Sequence, residues 1–406
     1  MSRRTIAVFT GNRAEYGLQY PILRAIAAHP DLDYRLIVSG AHLDPNFGNT
    51  LSEIEADGFS VAAEVKIDMP ADTLFATAQA IGSGILSMSK VLSDIRPDIL
   101  VVYADRFEGF AAVIAGSQMN VPTAHIEGGD LTEGGALDDS VRHAMTKLAH
   151  LHFTTNQQAS NRILSMGEES WRVHTVGFPA IDMIQDGNYA SPQEIVERFG
   201  LDLARPVVLF TQHSVTTEYD QAIDQLIPSL KAIEYLAEEG VQVFVTYPNN
   251  DAGGRQIIAT LESWEGKDHP CVHLHRSLGR YFYHGVLALA TQPGTRVARV
   301  GNSSSGIKET PAFGCPTVNI GSRQKGRLRA DNVVDAGYDP DAIYAAVSRC
   351  LNDEVFRIQA QNAENPYGVG DAGRKIADAL AKVPINQALI RKGMTLRGEV
   401  NDGWYR

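Results

Sequence analysis

The sequence predicts an α/β chain made of two doubly wound parallel sheets, and three observations carry that prediction. Short apolar β-rich runs alternate with helix-length amphipathic stretches. The run at 99–103 (ILVVY) is apolar throughout, as a strand buried on both faces must be. The alternation pauses near Gly177-Phe-Pro179 and Gly187, then restarts. A chain of 406 residues exceeds one ordinary core; it suits two domains of about 200 residues each.

The elements follow in order. Residues 6–9 (IAVF) are strand-like, and Gly11 and a helical stretch carrying Leu18, Ile22, Leu23 and Ile26 come next. Residues 34–38 read as a strand, 73–95 as a helix stopped by Pro97, and 98–103 as the buried strand. A helix over 107–119 and a strand over 122–126 follow. After the pause, strands are expected at 207–211, 241–247, 271–274 and 316–320, with helices at 222–239, 253–264 and 306–313. The expected domains are 1–180, joined by a C-terminal helix over 371–385, and 190–370.

Composition excludes several classes. The net charge of −12 disfavours DNA, RNA or an anionic membrane as partner, and an anionic substrate then needs a locally positive pocket. Cys271, Cys315 and Cys350 are odd in number and form no CxxC pair, so neither a disulfide framework nor a zinc site is indicated. No apolar run approaches the ~18–20 residues that span a bilayer, and the start lacks the apolar stretch of a secretory signal. A soluble, cytoplasmic enzyme is expected.

Four constellations bear chemistry. Gly11-Asn-Arg-Ala-Glu-Tyr-Gly17 is a strand-to-helix turn whose N–H groups attract phosphate, with Arg13 adding charge. An ordinary βα turn has the same form. It is not GxGxxG, so a nicotinamide cofactor is not supported. Asp105-Arg106-Phe-Glu108 ends one buried strand and His125-Ile-Glu127-Gly-Gly-Asp130 ends the next, so Asp105 and Glu127 share a rim where ligands bind in open α/β sheets. Crowded carboxylates suit acid/base work, and the double glycine admits close approach of a ligand. Asp105 and Arg106 also fit a structural ion pair. In Leu137-Asp-Asp-Ser-Val-Arg-His143, the pairs Asp138/Arg142 and Asp139/His143 are spaced i,i+4 at a helix start. Gly301-Asn-Ser-Ser-Ser-Gly306-Ile-Lys-Glu309 offers hydroxyls and N–H donors to a pyrophosphate, with Ser305 as the expected N-cap and Arg323 in range. His213 and Asn249 lie just past strands. No HExxH, other metal-ligand set or GxSxG elbow is present.

Six motifs recur in order: Asp105-Arg-Phe, His125-Ile-Glu-Gly-Gly-Asp, the stretch from Leu137 to His150, Thr211-Gln-His-Ser-Val-Thr-Thr217, Pro248-Asn-Asn-Asp-Ala-Gly253 and Gly301-Asn-Ser-Ser-Ser-Gly. Together they resemble the hydrolysing UDP-N-acetylglucosamine 2-epimerases of sialic- and legionaminic-acid biosynthesis, over residues 5–334. The resemblance implies a GT-B-like architecture of two Rossmann-like domains with the active site in the cleft between them. Sugar chemistry would lie mainly on the first domain and the nucleotide mainly on the second. It implies a homodimer or homotetramer that needs no cofactor and no metal. The substrate would be a nucleotide-activated amino sugar, with UDP first and GDP as the alternative, and with a 2,4-diacetamido (bacillosamine-type) sugar as the alternative to N-acetylglucosamine. Carried onto matching positions, Asp105, Glu127 and Asp139 become acid/base candidates with Asp138 beside them, and Arg142 a substrate contact. Arg13, His42, Arg106, His213, Asn249, Ser303, Ser304, Gly306, Glu309 and Arg323 become nucleotide or substrate contacts. Three departures stand out: Glu15 where an aspartate is common, a longer and more polar approach to the serine loop over 287–300, and Glu133 as an extra carboxylate. A GT-B glycosyltransferase and a non-catalytic nucleotide-sugar binder are the alternatives.

Overall fold

Alternate residues of the first strand face opposite sides of a sheet and are buried on both: Ile6 and Val8 join one core, Ala7 and Phe9 the other. A strand of this kind requires a helical layer on each face. The computed structural model describes residues 3–43, 51–67, 73–131, 137–249 and 252–395, and it has this arrangement twice.

The first sheet has strands β1 (Arg4–Thr10), β2 (Leu32–Ser39), β3 (Val61–Val65), β4 (Ile99–Tyr103), β5 (Thr123–Ile126), β6 (Leu151–Thr154) and β7 (Val173–Thr175), in the order β3-β2-β1-β4-β5-β6-β7. The second has β8 (Val207–Thr211), β9 (Gln242–Thr246), β10 (Val272–His275), β11 (Val297–Gly301), β12 (Thr317–Ile320) and β13 (Val333–Ala336), in the order β10-β9-β8-β11-β12-β13. Every pairing is parallel. The strand order of each sheet reverses beside its first strand, between β1 and β4 and between β8 and β11, which is where such sheets open a crevice at their carboxyl ends.

Two compact units result. The first takes the chain up to Asp130, then Leu137–Asp182 and the stretch from Gly370; the second takes Met183–Val369. Helix Ala372–Lys382 packs against helix Arg13–Ala28 in the first unit, and the Asp182 carboxylate accepts from the N–H groups of Ala372 and Gly373 at 3.0 and 2.7 Å. The following segment is pinned by two buried groups. Arg172 donates to the carbonyls of Ala388 and Leu389. Glu168 accepts from Lys147 (2.5 Å), His152 (3.0 Å) and Lys392 (2.8 Å). Burial alone would raise the Glu168 pKa; the hydrogen bonds from His152, Lys147 and Lys392 overcome that and hold it at about 2.

Several elements were not legible in the sequence. Strands β3, β6, β7, β11 and β13 are short or carry polar residues; β11 is fully buried yet has Arg299 at its centre. The expected helix over 306–313 is instead a four-residue helix, Ser305–Lys308, and a 3-10 turn, Thr310–Phe313. Pro311 supplies no N–H to continue the ladder. Among the described residues no helix is long and apolar enough to cross a membrane.

Candidate active site

Strands β4 and β5 end in strained turns. Ala104 has φ +53° and Glu127 φ +63°, a left-handed conformation that costs a residue with a side chain ~1–3 kcal/mol. Both are held from outside: Ala104 N–H donates to Ile126 O at 3.0 Å and Glu127 N–H to Phe153 O at 2.9 Å. His125 completes the brace. Its Nε2 lies 2.6 Å from Ala104 O, and a carbonyl acceptor requires a proton on that nitrogen. Nδ1 then accepts from the Thr146 hydroxyl at 3.1 Å. Burial pushes the His125 pKa down to about 4, so the ring is neutral at pH 7. His125, absent from the sequence-derived site, thus ties the two strand ends to helix Leu137–Leu148.

Arg142 on that helix also pairs beyond it. Asp138 is exposed, while Asp139 and Arg142 are each 4 % exposed. Arg142 contacts the Asp105 carboxylate at the end of β4, and Asp139 sits 3.8 Å from it at i,i+3. One guanidinium therefore joins the β4 end to the helix start, because a buried cation takes carboxylates from whichever elements converge on it. Asp105 and Arg106 do not pair with each other. Arg106 turns to Glu108 at 3.4 Å. Burial would lower the Arg106 pKa, but Glu108, Glu15 and Asp138 around it raise it.

The double glycine has a packing role. A Cβ on Gly128 would lie 2.8 Å from Thr146 Oγ1, and one on Gly129 (φ +74°) would lie 2.4 Å from Ala159 O. Both glycines let helices close on β5. Arg13 is largely exposed and pairs with Glu53 at 2.9 Å. His42 is fully buried, 3.1 Å from Thr10 Oγ1, with its pKa lowered to about 4 by burial; it supports the first turn instead of facing solvent. Glu133 lies outside the described residues.

Beside that turn is a buried carboxylate pair that the motifs did not assign. Glu15 and Glu108 are 5 % and 3 % exposed. Burial first, and the Glu108 charge second, raise the Glu15 pKa to about 8. Glu15 is thus largely protonated at pH 7.

In the second unit the loops after β8, β9, β11 and β12 meet at their carboxyl ends. Asn302 stitches them: its Oδ1 accepts from His213 N–H (2.7 Å), its Nδ2 donates to His213 O (2.8 Å), and its carbonyl accepts from Arg323 (3.2 Å) and Gln324 (2.9 Å). His213 Nδ1 accepts from Asn249 N–H at 3.0 Å, which leaves Nε2–H to donate. Burial, then Arg323 and Arg299, lower the His213 pKa to about 3. Gly301 at φ +120° is required, since a Cβ there would lie 1.9 Å from Thr211 O. Ser304, not Ser305, occupies the N-cap position, and its side chain makes no capping bond. Ser305 Oγ is instead 2.6 Å from the Tyr283 hydroxyl and 3.2 Å from Ser303 Oγ. Glu309 bonds His284 at 3.0 Å. The structure thus gathers His213, Asn249, Ser303, Ser304, Gly306 and Arg323 at one end of the second sheet. A four-residue helix lacks the dipole of a long one, so an anion here relies on individual hydroxyls, N–H groups and arginines. Among the described residues no His, Cys, Asp or Glu cluster could hold a metal ion.

The family model for UDP-N-acetylglucosamine 2-epimerase matches residues 24–381. The chain belongs to that family. A relative named UDP-N,N'-diacetylbacillosamine 2-epimerase (hydrolyzing), from Legionella pneumophila, is 32 % identical over 96 % of this chain and 98 % of its own. UDP-N-acetylglucosamine 2-epimerase of Neisseria meningitidis serogroup B is 30 % identical over 91 % of this chain and 92 % of its own. A solved N. meningitidis UDP-GlcNAc 2-epimerase bound to UDP-GlcNAc superposes with a TM-score of 0.73 at 20 % identity, covering 94 % of this chain and 100 % of that one. The fold class is GT-B-like: two Rossmann-like units with doubly wound parallel sheets.

Proposed function

We propose that the chain is a hydrolysing 2-epimerase that converts a UDP-activated 2-acetamido sugar to UDP and the free 2-epimer. The observation that carries this reading is the linked set of Asp105, Arg142 and Asp139 at the end of β4, with Glu127 at the end of the neighbouring strand β5. Removing the weakly acidic C2 proton and returning one to the other face requires a proton acceptor and a proton donor, and the carboxyl groups of this rim are the candidates for both roles. The sugar's C1–O bond breaks with its electron pair passing to the diphosphate, which gives a glycal; water then adds across the double bond. The cationic and hydroxyl-lined end of the second sheet is suited to the departing diphosphate. In this reading the first unit handles the sugar and the second the nucleotide.

UDP-N,N'-diacetylbacillosamine is the favoured substrate, on the strength of the 32 %-identical relative's name, and UDP-N-acetylglucosamine is the alternative. The first choice leads to legionaminic-type acids and the second to sialic acid. NMR of the protein with each sugar nucleotide in D₂O tests the proposal. Free UDP with a 2-epimer deuterated at C2 is expected. Tight UDP binding without release from either sugar would refute it and favour a transferase or a binder.

A further inference from the structure

The second sheet buries a cation that its packing satisfies only in part, through the Thr211 carbonyl and the Tyr283 hydroxyl. Arg299 lies mid-strand in β11, opposite Leu209 of β8 and Thr317 of β12, between the core residues Ala298 and Val300. It is 0 % exposed. Its Nη2 reaches the Thr211 carbonyl at 3.4 Å, while Nε and Nη1 are buried without a hydrogen-bond partner. A guanidinium so placed is strongly destabilising unless something compensates it.

Its position indicates what does. The side chain runs beneath the serine loop: a Cβ on Gly306 would come 3.0 Å from Arg299 Cδ and 3.1 Å from Nη1. Glycine at 306 lets the loop close over the guanidinium without crowding it. The charge is felt at His213, beside the same loop, and at Tyr283, which bonds Ser305. We infer that Arg299 is a built-in counter-charge for the diphosphate of the nucleotide sugar, acting through the 303–306 loop without touching the ligand. This rests on the second unit being the nucleotide side, and it makes Arg299 a positioning residue. An unscreened buried charge behind a thin loop exerts a larger field on an anion than a surface arginine does.

Calorimetric titration of the full chain with UDP, inorganic pyrophosphate and uridine tests the inference on wild type, Arg299→Met and Arg299→Lys. Arg299→Met should bind UDP and pyrophosphate about tenfold or more weakly, the order expected for one poorly screened charge–phosphate interaction, with uridine unchanged. Arg299→Lys should keep most of the affinity. The ligand-free unfolding midpoint of Arg299→Met should equal or exceed wild type, since an uncompensated charge has gone. Equal loss of UDP and uridine, UDP binding within about twofold of wild type, or failure of Arg299→Met to fold would each overturn it, the last by making Arg299 part of the core. A wild-type protein that binds UDP with this charge dependence yet never releases UDP from a sugar nucleotide would remove the epimerase reading and leave this inference standing.

Discussion

Replacing Asp105 by Asn isolates the ion pair on which the acidic rim is built. Arg142 and Asp105 have side chains 4 % and 16 % exposed and in contact. Removing one partner of a buried pair costs ~3–5 kcal/mol, because the remaining charge is left uncompensated. Asp139 remains 3.8 Å from the guanidinium and recovers part of that. The expected loss is therefore about 2–3 kcal/mol, or roughly 4–12 °C in the unfolding midpoint for a unit of this size. Asp105→Asn should also lower turnover by at least ~10²-fold if the carboxylate takes part in proton transfer. Scanning calorimetry of Asp105→Asn, Arg142→Met and the double variant separates the two effects. The double variant should be more stable than Asp105→Asn alone, since it strands no guanidinium. A single variant as stable as wild type, or a double variant whose loss is the sum of the singles, would refute the ion-pair reasoning.

Three further outcomes follow from the same structure. Glu127→Gln should reduce turnover ~10²–10⁴-fold while leaving UDP affinity nearly intact; near-normal kcat would remove its catalytic assignment. Glu15 has its folded pKa raised to about 8 against 4.5 unfolded, so folding favours the protonated form; its stabilisation is full below pH 4.5 and is lost as pH rises through 8. Wild type should lose up to roughly 5 kcal/mol across that window relative to Glu15→Gln, and equal pH slopes in denaturant titrations of the two would contradict the buried-acid reading. Glu168 has its pKa depressed to about 2, so its contribution is present above pH 4.5 and lost as pH falls towards 2. Glu168→Gln should cost about 3 kcal/mol at pH 7 and speed proteolytic cleavage after residue 385; an unchanged digestion pattern would show that Lys392 does not anchor that segment.

The rim of Asp105 and Glu127 was legible because strand ends in parallel sheets place their next residues at one edge, a consequence of chain direction alone. The serine loop was legible as glycines and hydroxyls bounded by apolar strands. Pairing was not. Arg142 has an acidic residue four positions earlier, but its partner is Asp105, 37 residues back, because the end of β4 meets the helix start only in the folded unit. His42 falls just past a strand like His213, yet one is sealed beneath the first turn and the other stands half-buried among loops. The glycines after Glu127 suggested room for a ligand, and only the folded unit shows that they also let the neighbouring helices close on β5. Arg299 shows the same division most sharply: in sequence it only interrupted an apolar run, and its burial comes from the serine loop folded over that face of β11. What the sequence by itself determined is the period of burial and the residue types at each strand end. What the tertiary structure decided is which charges face one another, because desolvation and proximity depend on elements far apart along the chain.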